Sequence, residues 1–89
     1  MTAASDTAFA AAQDRVKTLS KRPSNDQLLA LYALFKQATD GDVKGSRPGM
    51  LDLKGRAKYD AWAGRKGLGA EDAKAQYVKL VEELVRTIG

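Results

Sequence analysis

Apolar residues recur along this chain at steps of three and four, the spacing of amphipathic helices, and they do so in four separate runs. Phe9, Ala12, Val16 and Leu19 make the first stripe, with Ser5 as its N-cap and Asp6 suited to the first turn. Pro23 breaks that helix after Ser20 to Arg22. Ser24 and Gln27 have the spacing of a capping box, which opens a second helix. Leu28, Leu31, Tyr32, Phe35 and Ala38 follow on one face, and Leu29 and Leu34 fall outside it. So wide an apolar surface predicts either two helical neighbours or one neighbour and a ligand.

The segment DGDVKGSRPGML, from Asp40 to Leu51, has three glycines, a proline and no helical period. It reads as a long loop, of the kind that is functional, disordered or packed by its own side chains. Val43, Met50 and Leu51 are the residues expected to pin it to the core. Asp52 then caps a third helix running to about Ala63, with Leu53, Ala57 and Ala61 or Trp62 on a narrow apolar edge. Gly64, Gly67 and Gly69 punctuate the next turn. The fourth helix runs from about Ala70 to Thr87, with Ala73, Tyr77, Leu80, Val81 and Leu84 facing inward and Glu71 and Asp72 at its positive end.

Composition agrees with an all-α reading: the 89 residues include fifteen alanines and only two prolines. The length suits one domain over residues 1–89. The sequence contains no Cys and no His. That excludes disulfides, Cys nucleophiles, His-based triads and the common zinc sites, and it points away from an enzyme. The longest uncharged stretch, Gln27 to Phe35, is nine residues, less than half a membrane span. The N-terminal segment carries acids and no basic leader, so a soluble, cytoplasmic protein is expected.

Fifteen Lys and Arg against eleven Asp and Glu give a net charge of +4, which favours an anionic partner without naming it. Tyr32 and Lys36 lie one helical turn apart and can offer a hydroxyl and an ammonium to one anion. Lys54 and Lys58 leave one side of the third helix in the same way. The commoner fate of such lysines is a solvated face, and that of Tyr32, Phe35, Trp62 and Tyr77 is a place in the core. Arg47 reads as a solvated charge or, less often, an anion contact.

Beyond these local signals, the run LYALFKQATDGDVKGSRPGMLDLKGRAKYDAW and the later EDAKAQYVKLVEEL resemble, in order and spacing, the signature of the acyl-CoA-binding protein family. The resemblance extends from about Phe9 to Leu84. It implies a four-helix bundle of that family's type, with a long loop between helices two and three. It also implies non-catalytic carriage of medium- and long-chain acyl-CoA, with no cofactor and no metal. By match to the family motif, Tyr32, Lys36 and Lys58 hold the 3′-phosphate of the CoA ribose. Lys54 and Lys17 fall on further positions at the CoA head, and Tyr77 and Phe35 fall near the adenine. Leu28, Leu29, Ala57 and Tyr59 fall at the acyl-chain groove. Phe35, Tyr59 and Gly69 depart from the tyrosine, tryptophan and serine common in the family. A monomer is expected, with transient contact to a membrane or an acyl-CoA-using enzyme.

Two other classes of function fit the bare residues. One is nucleic-acid binding, against which the interspersed Asp40, Asp42, Asp52 and Asp60 speak. The other is a module presenting the broad face of the second helix to a partner helix.

Overall fold

The computed structural model describes residues 3–89, with side chains from residue 6 onward. Four helices follow one another: α1 (Ala3–Val16), α2 (Asn25–Thr39), α3 (Leu53–Ala63) and α4 (Ala70–Thr87), and the described residues include no strand. The chain is therefore all-α, as its periodicity predicts.

The helix starts follow their caps. The Ser24 backbone N–H donates to the Gln27 carboxamide at 2.8 Å, and the Gln27 N–H donates back to the Ser24 hydroxyl at 3.1 Å, so the predicted capping box closes. The Asp52 carboxylate accepts the Gly55 N–H at 2.9 Å. A Cβ on Gly55 would run into that carboxylate, so Asp52 caps the helix in this rotamer because residue 55 has no side chain. The first helix departs from expectation at both ends. It begins at Ala3, so Ser5 falls inside it, and the Ser5 side chain lies outside the described residues. It ends at Val16 rather than near Ser20. The Ser20 N–H, which would continue the helix, instead donates across the molecule to Gly89 at 2.9 Å.

The core is built by three of the four helices. Phe9 and Ala12 of α1, Leu31, Leu34 and Ala38 of α2, and Ala73, Tyr77, Val81 and Leu84 of α4 form one buried cluster. Helix α4 packs on both α1 and α2, while α3 packs on α2 alone among the described helices. The broad apolar surface of α2 is thereby divided: Leu34 enters the core, and Leu29 stays half-buried on the α3 side. The Phe9 and Tyr77 rings meet edge to face with centroids 5.1 Å apart, and Phe9 lies 5.9 Å from Phe35.

The long loop is held largely by polar bonds: of the three apolar residues expected to pin it, Val43 is half-buried and the other two are not buried at all. Met50 and Leu51 are 79% and 100% exposed. Instead, the Trp62 indole N–H donates to the Gly41 carbonyl at 2.7 Å and the Tyr59 hydroxyl to the Gly45 carbonyl at 3.1 Å. Asp42 accepts from the Gln37 carboxamide and from the Gly67 N–H, each at 2.8 Å. Arg47, read as a solvated charge or an anion contact, is an exposed charge that is also paired. Its guanidinium makes two bonds to the Asp60 carboxylate, at 2.8 and 2.6 Å. Trp62 is buried as expected, but beneath this loop and outside the main cluster.

Candidate binding site

Because α3 leans on α2 without reaching α1 or α4, the two helices leave a trough between them. It measures about 450 Å³ and is lined by Leu28, Leu29 and Tyr32 from α2, by Leu53, Lys54, Ala57 and Lys58 from α3, and by Arg22 and Asn25. That volume is of ligand size. The three leucines and Ala57 supply apolar wall, and Arg22, Lys54 and Lys58 supply positive charge. The four-residue step between Lys54 and Lys58 carries both lysines to this same trough.

A second cleft of about 300 Å³ adjoins it, lined by Val16, Lys17, Pro23, Leu28, Leu31, Tyr32, Phe35 and Tyr77. The two share Leu28 and Tyr32, so Tyr32 stands at the junction. No acidic residue lines either cleft among the described residues, so both favour an anion. The Lys58 ammonium lies over the Tyr32 ring, 5.4 Å from its centre, and ties α3 to α2 across the trough. Tyr77 is buried against Phe9, and burial raises the pKa of its phenol, which keeps it a neutral donor.

Nine of the eleven residues singled out in the sequence thus line the paired clefts: Lys17, Leu28, Leu29, Tyr32, Phe35, Lys54, Ala57, Lys58 and Tyr77. Two do not. Lys36 pairs with Asp40 one turn on and stands over the Trp62 ring at 4.9 Å. Its hydrogen bond to Asp40 raises the lysine pKa and lowers that of the carboxyl. Tyr59 turns toward the loop, where its hydroxyl holds Gly45. Arg22, Asn25 and Leu53 also line the trough, although their spacing does not point there. Leu53 was legible as part of the apolar edge of the third helix, and Arg22 as the cation before Pro23. No helix among the described residues is long and apolar enough to cross a membrane, and no group of three potential metal ligands occurs among them.

The family model for acyl-CoA-binding protein matches residues 6–81. The chain belongs to the acyl-CoA-binding protein family. It is 60% identical over 74 residues to an acyl-CoA-binding protein homologue of Caenorhabditis elegans, covering 83% of this chain and 86% of that one. It is 51% identical over 78 residues to the acyl-CoA-binding protein of Dictyostelium discoideum, covering 88% and 93% respectively. Among solved structures, acyl-CoA-binding protein 2 of Oryza sativa superposes with a TM-score of 0.89 at 40% identity, over 93% of this chain and 90% of that one. The trough between α2 and α3 is therefore a feature of an acyl-CoA-binding protein fold.

Proposed function

We propose that this chain binds medium- to long-chain fatty acyl-CoA esters one to one, as a monomer, and carries them in the cytoplasm without acting chemically on them. The observation that carries this reading is the pairing of a leucine-walled trough with lysines at its edge, joined through Tyr32 to a second, aromatic cleft. An acyl-CoA has a polyanionic head and a long apolar tail. Its carrier must neutralise one and dry the other.

In this reading the acyl chain lies along Leu28, Leu29 and Ala57, and the CoA head lies across Tyr32 toward Phe35, Tyr77 and Lys17. Lys58 and the Tyr32 hydroxyl hold the 3′-phosphate, with Lys54 beside them. Lys36 joins them by giving up Asp40. Tyr59 acts on the loop rather than on the chain, consistent with its bond to Gly45. Drying about fourteen methylenes at roughly 0.8 kcal/mol each grosses about 11 kcal/mol, which immobilisation of the ligand offsets in large part. Each charge-assisted phosphate bond adds about 1.5–3 kcal/mol. Affinity should therefore fall between nanomolar and low-micromolar, set mainly by the tail, with orientation set by the phosphate.

Titration calorimetry with a long-chain acyl-CoA and its dephospho analogue tests this. Tight binding of the parent ester and weaker binding of the ester lacking the 3′-phosphate are expected. No heat and no displacement with either would end the acyl-CoA reading. Equal affinities would remove the phosphate from the Tyr32–Lys58 position.

A further inference from the structure

Among the described residues, the three most exposed large apolar side chains stand together at one place. Met50 is 79% exposed, Leu51 100% and Leu53 75%. They sit where the loop enters α3, and Leu53 also lines the trough. Nothing in the fold uses the other two: the loop is secured by Trp62, Tyr59, Asp42 and Arg47, and Met50 and Leu51 are outside the core. Singly exposed apolar residues are ordinary, but a run of them beside a binding groove marks a contact surface.

The charge around this run says what that surface meets. From Val43 to Lys58 the sequence holds five cations, Lys44, Arg47, Lys54, Arg56 and Lys58, and one acid, Asp52. Asp52 is engaged in capping α3, and Arg47 is neutralised by Asp60. Among the described residues, Lys44, Lys54, Arg56 and Lys58 make no ion pair. Apolar side chains flanked by unneutralised cations are the signature of a segment that dips into an anionic bilayer surface, with the apolar groups in the acyl region and the cations among the headgroups.

We propose that Met50, Leu51 and Leu53 dock this chain on anionic lipid surfaces, with Lys44, Lys54 and Arg56 among the phosphates. The docked geometry turns the Leu53 end of the trough toward the bilayer. An apolar chain dissolved in the membrane can then enter along Leu53 and Ala57 without crossing water. That use of the surface rests on the acyl-CoA reading; the docking itself does not.

The experiment is co-sedimentation of the full chain, without ligand, on phosphatidylcholine vesicles with and without phosphatidylserine. Binding is expected to the phosphatidylserine vesicles, much weaker binding to phosphatidylcholine alone, and loss of binding as salt rises. The double variant Met50→Ser/Leu51→Ser should partition at least about tenfold less, since two exposed insertions are removed. Neither residue lines the clefts, so its affinity for acyl-CoA in solution, measured in parallel, should stay unchanged. Failure of the wild type to bind either vesicle, or equal binding by the double variant, overturns the proposal. So does a dimer in sedimentation velocity that the double variant abolishes, for the run would then join two copies. Vesicle binding without acyl-CoA binding would leave the docking standing and remove only its proposed use.

Discussion

The Lys58 ammonium of α3 lies over the ring of Tyr32 in α2, 5.4 Å from its centre. This contact places a cation and a phenol from two different helices at the junction of two clefts. If it is the phosphate grip, Lys58→Ala lowers acyl-CoA affinity by about tenfold or more, as loss of a charge-assisted bond does. Lys58 is exposed, so the helix content should not change. Tyr32→Phe keeps the ring under the ammonium and loses only the hydroxyl, for a smaller loss of about three- to tenfold. Calorimetry reads both, and unchanged affinity in both would place the phosphate elsewhere.

Lys36 and Asp40 give a prediction of opposite sign. Their ion pair occupies the ammonium that a phosphate would need. A surface pair of this kind is weak, so releasing the lysine should tighten acyl-CoA binding only modestly, by up to about fivefold. Asp40→Asn is the variant that releases it, whereas Lys36→Ala should weaken binding by about tenfold or more. Weaker binding in Asp40→Asn would show that the pair positions Lys36 rather than competing for it.

Trp62→Phe probes the loop. It removes an indole N–H that satisfies the Gly41 carbonyl and leaves space beneath the loop. A loss of about 1–3 kcal/mol is expected from the unmade bond and the smaller ring. Urea denaturation measures it. An unaltered midpoint would mean that the loop is carried by Asp42, Tyr59 and Arg47 alone.

Acid stability should depend on Asp42. Its bonds from the Gly67 N–H and the Gln37 carboxamide hold its carboxyl below the ordinary aspartate value. A depressed folded pKa contributes stability that is present above the unfolded value, about 3.9, and is lost as pH falls through the folded one. Asp42→Asn should therefore be less stable at neutral pH and lose less on acidification. Asp6, Asp40 and Asp60 are lowered by their own cation partners, so part of the acid dependence remains. Parallel pH profiles of the denaturation midpoint for variant and parent would exclude Asp42 from this role.

Much of this was readable from residue order because its causes are local. The capping box at Ser24 and Gln27, the Asp52 cap and the inward stripe of α4 involve partners three or four residues apart. What escaped was set by distant partners. Beyond the end of α1, Ser20 meets Gly89, and in the loop Gly41 meets Trp62. Met50 and Leu51 looked like anchors because apolar residues usually are, and only the fold reveals that polar bonds already hold the loop. In the site, the step from Lys54 to Lys58 foretold a shared side, but Lys36 could not be separated from Tyr32 by spacing. Its capture by Asp40 follows from the same helical step that links it to Tyr32. The family resemblance, by contrast, survived every local misreading, because it rested on blocks spread along the chain.

Among the described helices α3 touches α2 alone; its other ties run to the loop, and its one buried residue is Trp62. Its backbone amides are therefore free to exchange with deuterium through a local excursion, while those of α4 must wait for the whole molecule to come apart. Filling the trough would bridge the two classes, so the occupied molecule should melt as one unit where the empty one opens in stages.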